Sequence, residues 1–385
     1  MNCAFCGHSL SLVMDMGNHA LAGGFLKKEQ FDDEKRYPLR LFFCEECCAV
    51  QVADVIEPDT LFRDYFYFSS SIGTLRQHFK EYADDVYHRF LPKSVLEIGC
   101  NDGVLLKNFA DYGVQCIGVD PATNVVSSIQ DDRLKIHNAY FDESIDEKVN
   151  LIVANNVFAH IPDINGATRA VKKCLTENGV FVFEVHYVGK MVSETQYDII
   201  YNEHLYYHSL TSLQNHFNRH GMTIFDVEPI DLHAGSMRYY VCKDSRAVLP
   251  SVHRLEMQEM RDGLHRIETY LDFADRSERN AASLYWTLNE WSHSTVAGYG
   301  ASGRANTIMQ FAGVKVDYMV DDAPKKWGYF TPGTHIEIRK ELGDPDCTVI
   351  FAWPFQNEIL QKVTGSVILP MPEVKTLLAQ ERIAV

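Results

Sequence analysis

The sequence has no long run of apolar residues, and its first residues lack the basic and apolar segments of a secretory signal. No window reaches the ~20 consecutive apolar residues that a membrane-spanning helix needs, so we expect neither a transmembrane segment nor secretion. Basic residues are also scarce: 36 Lys and Arg oppose 52 Asp and Glu, which gives a formal net charge of −16. This balance disfavours a nucleic-acid-binding surface, which needs concentrated positive charge. We therefore expect a cytoplasmic protein that binds neither membranes nor nucleic acid.

Cysteine is too sparse for a disulfide-stabilised scaffold, because ten residues are spread over 385 positions. Four of the ten nevertheless form two Cys-x-x-Cys pairs: Cys3, Cys6, Cys44 and Cys47. Each such turn presents two thiolates to one point, and four thiolates complete the tetrahedral coordination of zinc. A closed coordination sphere leaves no position for substrate, so the pairs predict a zinc ion with a structural role.

Beyond residue 70, apolar runs of strand length alternate with helical patterns. The strand-like runs lie at 94–99, 114–119, 151–154 and 180–183. This alternation predicts a largely parallel, doubly wound α/β sheet. A helical stretch over 250–291 and new strands from about residue 295 predict a second α/β unit. We divide the chain into a small zinc-binding module (1–70), a Rossmann-like central domain (71–250) and a helical connector with a C-terminal α/β domain (251–385).

The first strand–helix turn of the central domain reads Glu97-Ile98-Gly99-Cys100-Asn101-Asp102-Gly103. Glycines in such a turn allow a ligand close to the backbone, and an acid at the end of the next strand can bind ribose hydroxyls. The spacing resembles the S-adenosylmethionine (SAM) motif of Rossmann-type methyltransferases rather than a dinucleotide motif. The resemblance implies a SAM site formed by Glu97, Gly99, Asn101, Gly103, Asp120 and Asn155.

A second glycine loop, Gly298-Tyr299-Gly300-Ala301-Ser302-Gly303, matches the dinucleotide pattern G-x-G-x-x-G. Asp321 follows about twenty residues later, where a ribose-binding acid is expected. Arg304 would strengthen an anion site at the N-terminus of the following helix. Three interpretations stay open: an NAD site, a site for the nucleotide or phosphate of a substrate, and a packing turn.

The segment from Ile200 to Ser209 concentrates ionisable and aromatic side chains after the fourth strand, at the ligand-binding end of the sheet. Methylation of carbon requires a base near a carbon acid and donors that stabilise the resulting oxyanion. Histidine titrates near neutrality and can serve as that base, whereas tyrosine can donate to the oxygen. A single histidine is more often a structural residue, so the hypothesis depends on the cluster.

The chain as a whole resembles the sugar C-methyltransferases of deoxysugar pathways, which act on TDP-linked 4-keto sugars at C3. These enzymes combine an N-terminal zinc module, a central SAM domain and a C-terminal α/β domain. The resemblance is carried by the four cysteines, Tyr65-Phe66-Tyr67-Phe68-Ser69-Ser70, the Glu97–Gly103 turn, Asn155-Asn156-Val157-Phe158-Ala159-His160-Ile161, Tyr201-Asn202-Glu203-His204-Leu205, Gly235-Ser236-Met237-Arg238, Gly298-Tyr299-Gly300-Ala301 and Pro332-Gly333-Thr334-His335.

The resemblance implies that His204 removes the C3 proton and that Glu203 orients this base or contacts the sugar. Tyr201 and either Tyr65 or Tyr67 would hold the sugar and its keto oxygen. Further residues expected to bind the substrate, a TDP-sugar, are His186, Arg238, Tyr299, Arg304 and Lys325. We expect a monomer or a weak oligomer.

Two positions depart from the family pattern. Asn202 replaces a histidine, and His208 stands where the family commonly has phenylalanine or a similar residue. Because both positions lie in the expected active-site segment, the identities of the sugar, the nucleotide and the methylated atom are not predicted. Three other functions remain as alternatives: methyl transfer to oxygen or nitrogen, an NAD-dependent oxidoreductase that uses the Gly298 loop, and a non-catalytic nucleotide-sugar-binding protein.

Overall fold

The N-terminal module forms a four-stranded antiparallel sheet. The computed structural model of the chain describes residues 1–62, 68–71, 73–232, 234–243 and 246–379. Buried Leu39, Leu41 and Phe43 alternate along the second strand and give the sheet one apolar face. The sheet order is β1-β2-β3-β9, with β1 (Ser11–Ala20), β2 (Arg36–Phe43), β3 (Val50–Val52) and β9 (Tyr206–Tyr207). A 3-10 helix, Lys28–Asp33, joins the first two strands, and α1 (Pro58–Phe62) follows the third.

The central domain is a seven-stranded sheet that carries helices between its strands. Its strands are β4 (Ser94–Ile98), β5 (Gln115–Val119), β6 (Leu134–His137), β7 (Val149–Asn155), β8 (Leu175–His186), β10 (Thr223–Ile230) and β11 (Ser236–Cys242), in the order β10-β11-β8-β7-β4-β5-β6. Its helices are α2 (Gly73–Phe90), α3 (Val104–Ala110), α4 (Thr123–Val126), α5 (Ile164–Cys174), α6 (Val188–Ser193) and α7 (Leu210–Arg219), with 3-10 turns at Ser69–Ser71 and Tyr197–Ile199. Strands β4 to β8 run parallel, which confirms the doubly wound sheet. The antiparallel hairpin β10–β11 was not predicted.

The C-terminal unit begins with two helices, which are followed by a second α/β sheet of six strands. The strands are β12 (Val296–Tyr299), β13 (Tyr318–Val320), β14 (Ile338–Arg339), β15 (Cys347–Ile350), β16 (Ser366–Leu369) and β17 (Lys375–Leu377), in the order β14-β13-β12-β15-β16-β17. The helices are α8 (Pro250–Asp262), α9 (Ile267–Asn289), α10 (Gly303–Ala312) and α11 (Gln356–Ile359), with 3-10 turns at Pro324–Lys326 and Trp353–Phe355. Only β17 is antiparallel within the described strands of this sheet.

One detail of the C-terminal prediction was wrong. The helical stretch over 250–291 is two helices, because Gly263 adopts a left-handed conformation (φ 70°) that ends α8. The fold class is confirmed, whereas the domain boundaries stay predictions. Within the described residues, the helices are too short or too polar to cross a bilayer.

The N-terminal module packs against the C-terminal unit as well as the central sheet. Asn306 Nδ2 on α10 donates to the Ala22 carbonyl oxygen at 2.6 Å. Glu34 accepts hydrogen bonds from the Gly333 amide and from His335, both at 2.8 Å, so the Pro-Gly-Thr-His segment lies in this interface. Direct hydrogen bonds therefore join the N-terminal module to the C-terminal unit.

Candidate active site and metal centre

The four cysteines of the N-terminal module converge, and their sulfur atoms all lie within 4.8 Å of one another. Cys3 Sγ is 3.6 Å from Cys47 Sγ, and Cys6 Sγ is 3.5 Å from Cys44 Sγ. Sulfurs about 2.3 Å from one tetrahedral zinc ion are about 3.8 Å apart, so the cluster fits the metal. The Cys3–Cys47 hydrogen bond lowers the pKa of Cys3 to about 5 and raises the pKa of Cys47. The first thiolate of the site is therefore available at neutral pH.

Gln51 orients this cluster from the middle of the module's sheet. Its Nε2 donates to Cys3 Sγ at 3.1 Å, and its Oε1 accepts from the Ala4 amide at 3.1 Å. Hydrogen bonds of this kind fix the direction of a metal ligand. Gln51 was not among the predicted site residues, and it lies on a strand of only three residues.

The first glycine loop has the backbone that a closely approaching ligand requires. Gly99 (φ 68°), Asn101 (φ 49°) and Gly103 (φ 74°) all have left-handed conformations. A Cβ atom at Gly99 would lie 2.3 Å from Val157 Cγ2, so no other residue fits there. Gly103 is the N-cap residue of α3, which begins at Val104.

Four buried polar atoms around this loop have no hydrogen-bond partner among the described residues. They are Glu97 Oε2 at the end of β4, Asp102 Oδ1 in the loop itself, and both amide atoms, Oδ1 and Nδ2, of Asn155 at the end of β7. Burial, and then the nearby charge of Asp120, raise the pKa of Glu97 well above its ordinary value. Unsatisfied polar atoms are costly in a closed core, so this arrangement fits a site that a polar ligand completes.

Asp120 stands at the end of β5, as predicted, and is 7% exposed. Its Oδ2 accepts from the Asn101 amide at 2.9 Å, and its Oδ1 accepts from the Ala122 amide at 2.8 Å. A carboxylate oxygen has two lone-pair positions, so each can also accept from a ribose hydroxyl. Burial raises the pKa of Asp120, and the two amides act in the opposite direction.

The segment that follows β7 joins the SAM loop to the histidine-rich segment. Val157 contacts the Gly99 position, and its carbonyl accepts from the His160 amide at 2.8 Å. The ring centroids of His160 and His204 are 4.9 Å apart. The His160 ring nitrogen Nδ1 also bonds the Glu203 carbonyl oxygen. The structure thus brings His204 to the same end of the sheet as Gly99.

His204 has a defined tautomer. Its Nδ1 lies 2.8 Å from the Ile199 carbonyl oxygen, which can only accept, so Nδ1 carries the hydrogen and Nε2 carries the lone pair. The Tyr201 ring lies over the imidazole with the centroids 4.0 Å apart. Burial, then the charge of His160, lower the pKa of His204 well below its ordinary value. The ring is therefore neutral at pH 7 and can accept a proton at Nε2.

The neighbours of His204 in the chain face the N-terminal module. Glu203 Oε1 accepts from the Gly23 amide at 3.1 Å, and Asn202 Nδ2 donates to the Pro38 carbonyl at 3.0 Å. The Ile199 carbonyl, rather than the Glu203 carboxylate, is the group bonded to His204 Nδ1. Burial raises the pKa of Glu203. Tyr65 and Tyr67 lie outside the described residues.

Two of the expected substrate-binding residues lie near His204. The charges of His186 and Arg304 both act to lower the pKa of His204. His186 Nε2 lies 3.0 Å from Gln196 Oε1, and Arg304 Nη1 donates to Asp198 at 3.1 Å. Arg304 belongs to the C-terminal unit, so this unit reaches the histidine-rich segment.

The other three expected substrate-binding residues are engaged elsewhere. Arg238 is 4% exposed and donates to Glu184 at 2.7 Å. Tyr299 donates its hydroxyl to Asp322 at 2.8 Å. The Lys325 ammonium lies 3.5 Å above the centre of the Phe68 ring. The structure therefore does not bring these three side chains into the cluster around His204.

Close neighbours exclude a side chain at two glycines of the second glycine loop. A Cβ atom at Gly298 would lie 2.3 Å from Met319 Sδ, and one at Gly300 would lie 2.4 Å from Ala352 Cβ. The Asp321 carboxylate accepts from the Ala323 amide at 2.9 Å and from Lys326 Nζ at 3.0 Å. Packing within this unit thus accounts for Gly298 and Gly300, and Asp321 is paired with a lysine.

A tetrathiolate zinc site and a SAM loop joined to a buried histidine define a zinc-containing, SAM-dependent methyltransferase. Residues 3–62 match a zinc binding domain family, residues 75–227 match the family "Methyltransferase domain", and residues 231–372 match the family "C-methyltransferase C-terminal domain". The cofactors of the chain are accordingly SAM and zinc.

Curated relatives support the same class. C-methyltransferase NovU of Streptomyces niveus is 31% identical over 98% of this chain and 97% of its own length. Ubiquinone biosynthesis O-methyltransferases of Rhodopseudomonas palustris and Bartonella quintana are 28% and 32% identical over 23% and 22% of this chain, and over 38% of each relative. The chain belongs to the zinc-containing, SAM-dependent sugar C-methyltransferase family. It is therefore an enzyme that methylates carbon rather than a binding protein.

Proposed function

We propose that the enzyme transfers a methyl group from SAM to C3 of a nucleotide-linked 4-keto-deoxysugar, with TDP as the expected nucleotide. The observation that carries the proposal is the hydrogen bond of 2.8 Å from His204 Nδ1 to the Ile199 carbonyl, which leaves Nε2 to act as a base. A base of this kind is required for methylation of carbon and is unnecessary for methylation of a sugar hydroxyl that is already nucleophilic.

The ketone at C4 makes the neighbouring C3–H bond acidic, because the carbanion is delocalised onto the carbonyl oxygen. His204 Nε2 would remove this proton, and the Tyr201 hydroxyl would donate to the developing oxyanion. Bound SAM supplies a methyl group on a sulfonium, which is electrophilic. The C3 carbanion would take up this methyl group, S-adenosylhomocysteine would be left at the SAM loop, and the proton removed from C3 would stay on His204 until it passes to solvent.

The position of the two half-sites supports this chemistry. Val157 touches the Gly99 turn of the SAM loop, and His160 of the same segment lies against His204, with 4.9 Å between ring centroids. A donor held at the loop and a sugar held at His204 would therefore be neighbours. Holding two reactants in this way supplies a large part of the rate enhancement.

Glu97, Gly99, Asn101, Gly103, Asp120 and Asn155 are the residues that we propose to hold SAM. Glu203, His186 and Arg304 are proposed to contact the sugar or its diphosphate from around His204. Tyr65 or Tyr67 is proposed to contact the keto oxygen. A role for Arg238, Tyr299 or Lys325 would require these side chains to leave Glu184, Asp322 and Phe68, respectively.

The proposed function is tested with His204→Asn and the matched control His220→Asn. The His220 ring is partly buried near the end of α7 and bonds Asn165 Oδ1 at 2.9 Å, away from the SAM loop. A TDP-4-keto-deoxysugar is incubated in deuterated water, and C3 exchange is followed by NMR. We expect His204→Asn to lose exchange and methylation by at least ~10³-fold, in line with loss of a general base, while SAM affinity by calorimetry is kept.

The control variant should exchange and methylate at the rate of the unchanged enzyme. Undiminished C3 exchange in His204→Asn would remove His204 as the base. Mass spectrometry and NMR of the products from a panel of nucleotide 4-keto sugars identify the methylated atom. A new methyl group on oxygen or nitrogen, or absorbance from nicotinamide turnover, would contradict the proposed reaction.

A further inference from the structure

Asp198 is a fully buried carboxylate, with 0% exposure, two residues before the Ile200–Ser209 segment. Its Oδ2 accepts from Trp353 Nε1 at 2.7 Å and from Arg304 Nη1 at 3.1 Å. Its Oδ1 has no hydrogen-bond partner among the residues that the structure describes. Both donors belong to the C-terminal unit, so the charge of Asp198 is balanced from a different part of the fold.

The same 3-10 turn, Tyr197–Ile199, is held at a second point by the C-terminal unit. The Tyr197 hydroxyl donates to Asn280 Oδ1 of α9 at 2.9 Å, and its ring lies 5.2 Å from that of Phe311 on α10. Asn280 Nδ2 in turn donates to the carbonyls of Pro370 and Pro372 at 3.2 and 3.1 Å. The turn is therefore fixed from α9, α10 and the loops after β15 and β16.

The next residue of this turn holds the proposed base. The Ile199 carbonyl accepts from His204 Nδ1 at 2.8 Å and from the Tyr207 hydroxyl at 3.4 Å. The direction of this carbonyl depends on the backbone of Asp198 and Ile199. A shift of the turn would remove the acceptor that selects the Nδ1–H tautomer, and the lone pair would leave Nε2.

We propose that Asp198 is a positioning residue, through which the C-terminal unit fixes the orientation and tautomer of His204. The inference rests on the proposed function, because it assumes that His204 is the base. Asp198 acts on the base indirectly, through the Ile199 carbonyl that follows it in the turn, whereas its own Oδ2 accepts from Trp353 and Arg304 of the C-terminal unit. Arg304, whose charge is paired with Asp198, then serves this alignment in addition to any contact with the substrate.

The physical basis is the cost of a broken buried ion pair. Asp198→Asn keeps the shape and can still accept from Trp353, but it leaves the Arg304 guanidinium, with a side chain 16% exposed, without its carboxylate. Removing one partner of a buried ion pair costs more free energy than the intact pair contributes to stability, because the other charge is left buried without its counter-ion. Arg304 must then seek other acceptors or water, and the turn moves with it.

The test compares Asp198→Asn with Asp226→Asn in the full-length, SAM-bound enzyme. Asp226 forms a similar ion pair with Arg89 at 2.6 Å, on the outer strand β10, so it controls for general loss of stability. Three quantities are measured: the His204 tautomer by ¹H–¹⁵N NMR of the ring, C3 exchange in deuterated water, and kcat and KM with the TDP-4-keto-deoxysugar.

For Asp198→Asn we expect a mixture of His204 tautomers and a decrease of at least tenfold in both exchange and kcat, with KM changed less than threefold. Asp226→Asn should keep the tautomer, exchange and kcat of the unchanged enzyme. An unaltered tautomer with unaltered exchange in Asp198→Asn overturns the inference. A raised KM with unchanged kcat also overturns it, because the pair would then serve substrate binding.

His204→Asn separates failure of this inference from failure of the proposed function. If His204→Asn keeps full C3 exchange, the base has been misassigned and the proposed function fails. If His204→Asn loses exchange whereas Asp198→Asn behaves like the unchanged enzyme, the positioning role alone is wrong.

Discussion

His208 provides a quantitative test of how the core depends on pH. The side chain is 1% exposed and lies among Phe5, Phe158 and Tyr206. Burial lowers the pKa of His208 to about 3. An unfolded chain has an ordinary histidine with a pKa of about 6.5. Between pH 6.5 and pH 3 this histidine is therefore protonated in the unfolded state and neutral in the folded state. The free energy of unfolding falls as the pH decreases through this range.

The perturbation is His208→Phe, which keeps an aromatic ring in the core and removes the titratable group. Linkage gives RT ln(1 + 10^(6.5−pH)) for the proton taken up by the unfolded chain, which is about 0.2 kcal/mol at pH 7 and about 2 kcal/mol at pH 5. His208→Phe should therefore lose about 2 kcal/mol less stability than the unchanged enzyme over this interval. His19 and His216, whose pKa values burial lowers to about 4 and about 3, are present in both proteins, so their contributions cancel.

The assay is urea-induced unfolding at pH 8, 7, 6 and 5 with zinc present in both samples. At pH 8 the two proteins differ only by packing and hydrogen bonding, and that difference is subtracted. Phe158→Leu serves as the control, because it changes the same part of the core and removes no titratable group. Its curve should be displaced by the same amount at every pH. If His208→Phe and the unchanged enzyme have parallel pH profiles, the imidazole is not buried in the neutral form and the reasoning is refuted.

Three further predictions concern the two cofactor sites and the base. Gly99→Ala should weaken SAM binding at least tenfold in calorimetry, since the left-handed backbone costs about 1–2 kcal/mol and the methyl would strike Val157; unaltered affinity would contradict the loop geometry. Cys6→Ser should bind zinc substoichiometrically by elemental analysis, because three thiolates remain; full zinc occupancy would exclude Cys6 as a required ligand. The acid limb of kcat/KM should fall below pH 6.5, because burial depresses the pKa of His204; a limb above pH 6.5 would indicate another base.

The sequence predicted those features whose geometry depends on residues that are close together in the chain. The Cys-x-x-Cys pairs and the glycines around Gly99 impose their geometry over a few residues, and the structure brings the cysteines together within 4.8 Å. Strand β4 was predicted within two residues, because its apolar run is short and ends in glycine. The break at Gly263 was missed because the apolar spacing continues across it on both sides.

What depends on distant contacts could not be predicted. The carbonyl that orients His204 belongs to Ile199. Every residue has a backbone carbonyl, so the amino-acid type at this position does not indicate the hydrogen bond. The Asp198–Arg304 pair joins positions 106 residues apart. The Gly298 loop matched a dinucleotide pattern, yet Gly298 and Gly300 are required by neighbours on β13 and after β15, which only the folded chain reveals.

Strand β9 lies within the central domain in the sequence, but it pairs with a strand of the N-terminal sheet. Tyr206 and Tyr207 lie two and three residues after the proposed base, yet they pair with Gln51 and Val50 of the N-terminal sheet. Gln51 also bonds the metal-binding Cys3. A chimaera that exchanges the first 62 residues with those of a relative therefore also replaces the strand that pairs with the segment after His204.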